Sequence, residues 1–259
     1  MITGKGVYGM AGTEIKTGYL NGTWLKSLAM FLMLLDHACW TVAVDHQWMT
    51  CAGRLAIPLF AFLIAEGYRH TSSFKRYFRR MLLFALVSEI PFNLMTGGAL
   101  INPFHQNVMF TFCLALLLLR SVDKAWSRNW WEGLLVAVFG GCVGYGLGFL
   151  AFVDYYGYGV ITVLVFWLAG KIPFGWALEL AALAYINLEL IGGMSYVLEF
   201  WGREIWVPQQ AFALLALIPI WLYNGQRGPG GKKFQYFGYA FYPVHILILA
   251  LLAMAGVSL

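Results

Sequence analysis

The chain has 259 residues, of which 61% are apolar and 11% are charged, and its mean hydropathy is +0.70. Soluble globular domains carry about 25% charged residues, so this composition excludes a soluble protein and indicates a chain embedded in a lipid bilayer. The formal net charge of +5 fits nucleic-acid binding as well as membrane topology, so the positions of the charges must decide between them.

Long apolar runs recur along the chain. A helix needs roughly 20 apolar residues to cross a hydrocarbon core of about 30 Å. Helices are favoured because an open sheet would leave backbone groups unpaired in lipid, and because the runs lack the alternation of a membrane barrel. We therefore predict an all-α, polytopic membrane helix bundle with about nine transmembrane helices. The predicted spans are residues 24–44, 49–68, 78–97, 106–122, 132–152, 157–171, 173–191, 206–224 and 237–257.

The basic residues are distributed unevenly between the predicted loops. Positively charged loops stay on the cytoplasmic side, so the pattern predicts a cytoplasmic amino terminus and a carboxyl terminus outside. Residues 1–23 then form a short cytoplasmic segment, and residues 24–259 form a single integral-membrane domain. With this orientation, Arg203 lies in an outer loop and Arg54 within a span. The charges thus predict contact with membrane lipid and no nucleic-acid partner. The basic residues assigned to the cytoplasm are Lys5, Lys16, Lys26, Arg69, Lys75, Arg76, Arg79, Arg80, Arg120, Lys124, Arg128, Lys171, Arg227, Lys232 and Lys233.

The glycines and cysteines within the spans indicate helix packing and not a metal or disulfide site. Gly140, Gly144 and Gly148 recur at a spacing of four residues, which is typical of close helix–helix packing in membranes. The cysteines form no CxxC pair and have no histidine at ligand spacing, so neither a disulfide framework nor a metal site is predicted. They are Cys39, Cys51, Cys113 and Cys142.

Ionisable residues within the predicted spans are candidates for function. Each costs at least about 2.5 to 3.5 kcal/mol on the mildest insertion scale, so each requires a partner or a purpose. A rise of about 1.5 Å per residue from the nearest interfacial charge places all of them near the middle of the bilayer. This pattern predicts a buried polar site, but structural ion pairs and hydrogen-bonded core histidines would give the same pattern. The residues are Asp36, His37, Arg54, Glu89 and His245.

A basic segment lies between the second and third predicted spans. Glu66 precedes Arg69 and His70 on one helical face and can pair with both. The segment fits the positive-inside rule and attraction to anionic lipid headgroups. It also fits a binding site for a polyphosphorylated ligand, which guanidinium groups suit well. Its basic members are Arg69, His70, Lys75, Arg76, Arg79 and Arg80.

Several of these segments together resemble the TraX family. They are Asp36-His37, residues 53–67 (GRLAIPLFAFLIAEG), His70-Thr71, residues 77–80, residues 107–111 (NVMFT) and residues 241–245 (FYPVH). The similarity is strong from residue 24 to about residue 120 and weaker beyond. One departure is Ile57, where the family usually has phenylalanine.

The resemblance implies a transmembrane acetyltransferase of the bacterial inner membrane. Such an enzyme would move an acetyl group from cytosolic acetyl-CoA to an acceptor at the outer side, either the terminal amine of a conjugative pilin or another envelope acceptor. The basic segment, with Glu66, would hold the coenzyme. His37 would act as general base or as nucleophile, with His245 as the alternative base.

The remaining polar residues receive supporting roles. Arg54 could stabilise the thioester oxyanion, and Asn107, nearer the outer face, could position the acceptor. Glu89 is a further catalytic candidate. Asp36 lies about 100° around the helix from His37, so it would hold Arg54 or His245. Two other hypotheses remain: a proton-coupled transporter or exporter using the same residues, for which no internal repeat is evident, and a structural membrane protein.

Overall fold

The computed structural model describes residues 18–259 and is predominantly helical. Lys5, Lys16 and most of the predicted cytoplasmic segment lie outside the described residues. In chain order the helices are α1 (Gly22–Thr41), α2 (Gln47–Gly53), α3 (Ala56–Arg69), α4 (Phe74–Gly97), α5 (Val108–Trp126), α6 (Trp130–Leu150), α7 (Tyr156–Ala169), α8 (Gly175–Ala184), α9 (Leu217–Trp221) and α10 (Gly231–Met254).

Most of the length of each predicted span is helical, although three of the spans are irregular. The span predicted at 49–68 is divided into α2 and α3 at Arg54 and Leu55. A π-helical segment at Tyr185–Ile191 extends α8, and 3-10 turns at Gln209–Ala216 precede α9. The predominantly helical class is therefore confirmed.

The number of helices that could cross a membrane unaided is smaller than predicted. Three segments of the described chain are long and apolar enough: Gln47–Arg69, Trp130–Leu150 and Gly231–Met254. The structure thus supports three candidate spans in place of nine. α7 has 14 residues and reaches only about 21 Å, while α1, α4 and α5 carry charged residues. The outward face of α6 is apolar, with Phe139 70% exposed. These features indicate a multi-pass membrane protein.

A β-hairpin is the one departure from the all-α prediction within the described residues. Its strands, β1 (Ser195–Phe200) and β2 (Arg203–Pro208), pair antiparallel. The two-residue turn at Trp201 and Gly202 has positive φ at both positions, which matches the right-handed twist of the strands. The span predicted at 206–224 therefore begins too early, because its first residues belong to β2.

α7 lies at the centre of the bundle. Val160, Phe166 and Trp167 are at most 1% exposed, and α7 packs against α3, α5 and α6. α1 packs against α2, α3 and α10, and α10 also packs against α4. The loops preceding α5 and α7 are joined by backbone hydrogen bonds of Gln106 with Phe152 and Asp154, both 2.8 Å long. The loops preceding α5 and α7 therefore lie side by side.

The glycine stripe of α6 packs closely against its neighbours, as predicted. A Cβ atom at Gly148 would lie 2.6 Å from the backbone nitrogen of Gly157. At Gly144 it would lie 3.1 Å from a methyl group of Val160, and at Gly140 2.7 Å from one of Leu118. The contact at Gly148 is the least adaptable of the three, because backbone cannot move aside as a side chain can.

We expect Gly148→Ala to destabilise the protein by about 1–3 kcal/mol, the usual cost of overpacking a close contact. Gly146→Ala is the matched control, since a Cβ atom there meets nothing within 4 Å. Thermal unfolding of the two variants in detergent would measure the difference. Equal melting temperatures for both variants would contradict the close contact between α6 and α7.

Candidate active site

Two histidines from opposite ends of the chain meet in the bundle. His37 comes from α1 and His245 from α10, and His37 Nδ1 lies 2.8 Å from His245 Nε2. The two rings are nearly parallel, with an interplanar angle of 3° and 5.0 Å between centroids. The packing of α1 against α10 therefore joins two candidate bases into one hydrogen-bonded pair.

The hydrogen bonds of this pair determine its neutral tautomers. His245 Nδ1 lies 2.7 Å from the carbonyl oxygen of Phe241. A carbonyl only accepts, so His245 carries its proton on Nδ1 and its Nε2 is an acceptor. His37 must then donate from Nδ1, which leaves the lone pair of His37 Nε2 unprotonated. The arrangement assigns the basic atom to His37 and makes His245 the residue that orients it.

Tyr242 packs against both histidines. Its ring centroid lies 6.3 Å from that of His37 and 5.8 Å from that of His245. The residue is 4% exposed, and its hydroxyl group has no hydrogen-bond partner among residues 18–259. A buried, unmatched hydroxyl is unfavourable for folding, so this one requires an explanation other than stability.

Asp36 forms an ion pair with Arg54 and not with the histidines. Asp36 Oδ1 accepts hydrogen bonds from Arg54 Nη2 at 2.5 Å and from the hydroxyl of Thr50 at 2.6 Å. Arg54 also donates to the carbonyl oxygen of Thr50 at 3.2 Å and to the hydroxyl of Tyr155 at 3.3 Å. The side chains of Arg54 and Asp36 are 10% and 16% exposed. This cluster fastens α1 to α2 and to the loop before α7.

Glu89 and Asn107 form a second polar pair. Asn107 Nδ2 donates to Glu89 Oε2 at 2.5 Å and to the carbonyl oxygen of Ala85 at 2.9 Å. Asn107 Oδ1 accepts from the backbone N–H of Met109 at 3.1 Å and so caps α5. The other oxygen of Glu89, Oε1, is buried and without a partner in the described chain.

Asp154 is a site residue that the sequence analysis missed. Its carboxylate acts electrostatically on His37, on Tyr242 and on Arg54. It also lies 3.8 Å from His105 Nε2 in the loop before α5. Interaction with Asp154 raises the pKa of His105 above its ordinary value. Thus the loop before α7 contributes a carboxylate that pairs with His105 and acts electrostatically on His37.

A cavity of about 730 Å³ opens between α1, α3, α4 and α10. Its volume is in the range of about 300–1,000 Å³ that is usual for small-molecule sites. Cationic side chains surround the mouth, and apolar and aromatic side chains line the interior as far as Tyr242. The cations are Lys26, Arg76, Arg80, Arg227 and Lys232, His70 and Glu66 also line the cavity, and the interior residues include Met33, Phe60, Met109 and Phe112.

Comparison with known proteins assigns the chain to a family. The sequence model of the TraX protein family matches residues 21–253. The chain belongs to the TraX family. The match includes both histidines, both polar pairs and the residues that line the cavity.

Relatives of this TraX-family chain include two kinds of named protein. The probable fimbrial assembly protein FimC, serogroup H1, of Dichelobacter nodosus is 29% identical over 250 residues, which cover 87% of this chain and 92% of FimC. Protein TraX of Escherichia coli strain K12 is 29% identical over 139 residues, 48% of this chain and 49% of that protein. No solved structure matches the chain.

The structure separates the coenzyme-binding residues predicted for this TraX-family protein into two groups. Glu66, His70, Arg76 and Arg80 line the cavity. Arg69 instead donates to the carbonyl oxygens of Phe166 and Trp167, at 2.6 and 2.9 Å. Lys75 and Arg79 are exposed and lie outside the cavity lining of the described chain. The sequence analysis missed Lys26, Arg227 and Lys232, which it treated only as markers of topology.

The hydrogen bonds of the polar residues favour some of their predicted roles and disfavour others. The predicted pairing of Glu66 is confirmed, with Arg69 and His70 both 3.0 Å away. Arg54 is already paired with Asp36, which disfavours its predicted oxyanion role. His245 has both nitrogens engaged, which disfavours it as the alternative base. Asn107 is engaged in capping α5 and in binding Glu89.

Proposed function

We propose that this protein is a transmembrane acetyltransferase that uses acetyl-CoA from the cytoplasm. The observation that carries the proposal is the cavity: cationic at its mouth, apolar within, and ending at Tyr242, which packs against the histidine pair. The cations suit the phosphates of CoA, and the apolar interior suits its pantetheine arm. Arg80 supports this assignment, because its buried Nε atom has no partner in residues 18–259.

The proposed orientation follows from the same charges. The amino terminus and the mouth of the cavity face the cytoplasm, the carboxyl terminus lies outside, and the protein resides in the bacterial inner membrane. Acetyl-CoA then enters from the cytoplasmic side, and the acceptor approaches from the opposite side. Family membership supports a pilin terminal amine as the acceptor, and the name of the FimC relative, a probable fimbrial assembly protein, agrees with it.

The proposed reaction is direct acetyl transfer with His37 as general base. The acceptor nucleophile forms a bond to the carbonyl carbon of the thioester, and His37 Nε2 takes its proton. The carbon–sulfur bond then breaks, and the proton passes to the CoA thiolate. His245 keeps the lone pair on the reactive nitrogen of His37, and the ion pair of Asp36 with Arg54 maintains the position of α1.

We expect Arg76→Ala to weaken acetyl-CoA binding by about 10- to 100-fold, because one charge-assisted contact to phosphate contributes about 1.5–3 kcal/mol. Arg79→Ala is the matched control, since Arg79 lies on the same helix and outside the cavity lining. Isothermal titration of acetyl-CoA into the protein in nanodiscs would measure both affinities. Failure of the unmodified protein to bind acetyl-CoA would contradict the proposal and favour a carrier.

A further inference from the structure

Tyr242 is the residue that the cavity and the histidine pair share. It lines the cavity, and its ring centroid lies 6.3 Å from that of His37 and 5.8 Å from that of His245. Tyr242 and His245 are three residues apart in α10, so their side chains lie on the same helical face. The packing of α1 against α10 brings His37 beside them. An acyl group that reaches the end of the cavity therefore meets Tyr242 next to the proposed base.

The hydroxyl group of Tyr242 is buried and unmatched. The residue is 4% exposed, and its hydroxyl has no hydrogen-bond partner in the part of the chain that the structure describes. Buried polar groups in native proteins are almost always paired. Met33, Met109 and Phe112 also line the cavity, and their side chains offer the hydroxyl nothing better than a weakly accepting thioether sulfur. The missing partner is therefore an oxygen atom that a ligand brings into the cavity.

The other donors predicted for the reaction are already engaged. The guanidinium of Arg54 is paired with a carboxylate. The side-chain amide of Asn107 donates to a carboxylate and to a backbone carbonyl. Both ring nitrogens of His245 take part in hydrogen bonds. The Tyr242 hydroxyl, in contrast, has a proton to donate and no acceptor for it within residues 18–259, so it is free to bind the carbonyl group of a substrate.

We propose that Tyr242 is a catalytic residue that stabilises the oxyanion of acetyl transfer, an inference that rests on the proposed function. The Tyr242 hydroxyl donates a hydrogen bond to the carbonyl oxygen of acetyl-CoA. As the acceptor nucleophile bonds to the carbonyl carbon, the π electrons of the carbonyl move to its oxygen, and the hydroxyl stabilises that negative charge. The carbonyl then re-forms, the carbon–sulfur bond breaks with its electron pair on sulfur, and His37 gives the proton to the thiolate.

The first test measures transfer and binding for Tyr242→Phe, which keeps the aromatic ring and removes the hydroxyl group. We expect kcat in proteoliposomes to fall by about 10²- to 10³-fold, the usual effect of removing one oxyanion donor, while affinity for acetyl-CoA stays within about twofold. The melting temperature should stay the same or rise, because the hydroxyl has no partner to lose. Tyr236→Phe is the matched control, since Tyr236 lies on the same helix, is 54% exposed and lies outside the cavity lining.

An infrared measurement reports the hydrogen bond itself, which a merely structural role of Tyr242 would not affect. Acetyl-CoA with an isotope-labelled carbonyl carbon is bound to each protein in nanodiscs without an acceptor. We expect the carbonyl stretching band at a lower frequency in the unmodified protein and in Tyr236→Phe than in Tyr242→Phe. The same band position in all three proteins, or a kcat for Tyr242→Phe within about threefold of that of the unmodified protein, would overturn the assignment.

This inference and the proposed function fail in different ways. Absence of transfer by the unmodified protein would overturn acetyl transfer. The infrared comparison requires only bound acetyl-CoA, so it still decides whether the Tyr242 hydroxyl contacts the carbonyl oxygen. Failure of acetyl-CoA to bind the unmodified protein would overturn both.

Discussion

We expect His37→Gln to reduce acetyl transfer by about 10²- to 10⁴-fold, which is the usual contribution of a general base. Glutamine can still donate to His245 Nε2, so the hydrogen bond between α1 and α10 is retained while the basic lone pair is lost. Transfer is measured with radiolabelled acetyl-CoA and an amine peptide in proteoliposomes. Affinity for acetyl-CoA should stay within about twofold, because the cations of the cavity are untouched.

The matched control for His37 is His46→Gln, at an exposed position just before α2. His245→Gln should give an intermediate loss, since it removes the group that fixes the tautomer of His37 but leaves the base itself. Near-normal transfer by both the His37 and His245 variants would show that the histidine mechanism is wrong. Detection of an acetylated His37 by mass spectrometry would instead indicate the nucleophilic route.

The histidine pair shows what the sequence could and could not predict. Both histidines stood out because an ionisable residue in an apolar helix is costly. Their contact could not be predicted, since they lie 208 residues apart and nothing in the local pattern determines which helices are neighbours. The tautomers depend further on the carbonyl oxygen of Phe241, a backbone group that no sequence pattern distinguishes. Residue type thus indicated the chemistry, while tertiary packing determined the roles.

The set of basic residues around the cavity mouth was predicted incompletely for a related reason. The basic segment on α4 was visible because its residues are close together in the chain. Lys26, Arg227 and Lys232 reach the same mouth from α1, from the loop preceding α10 and from α10 itself. Each alone fits the positive-inside rule, so only the packing of α1 against α10 shows that they act together. Conversely, Arg79 was included by proximity in sequence although its side chain lies outside the cavity.

The hairpin and Asp154 were missed because of how the spans were read. Trp206 and Val207 are apolar, so a window suited to membrane helices included the end of β2 in a span. The Trp201–Gly202 turn, followed by Arg203 and Glu204, was the available signal for a hairpin. Asp154 lies in a loop, and a search for charges within spans excludes loops by construction. Loop residues that are hydrogen-bonded back toward the centre of the bundle escape any method that follows hydropathy alone.

We expect Asp36→Asn to destabilise the protein by about 3–5 kcal/mol, because it leaves the guanidinium of Arg54 buried without its counter-charge. Asp45→Asn, at an exposed position after α1, is the matched control and should unfold as the unmodified protein does. Unfolding in a denaturing detergent, followed by circular dichroism, measures both. Equal stability of the two variants would contradict a structural role for the ion pair.

The double variant Asp36→Leu with Arg54→Met decides whether Arg54 also acts on the substrate. Replacing a whole buried ion pair by apolar residues of similar volume is often neutral for stability or even stabilising, so this variant should be more stable than Asp36→Asn. If the pair only fastens α1 to α2, acetyl transfer returns with stability. If the folded double variant remains inactive while still binding acetyl-CoA, Arg54 stabilises the oxyanion in addition to its pairing with Asp36.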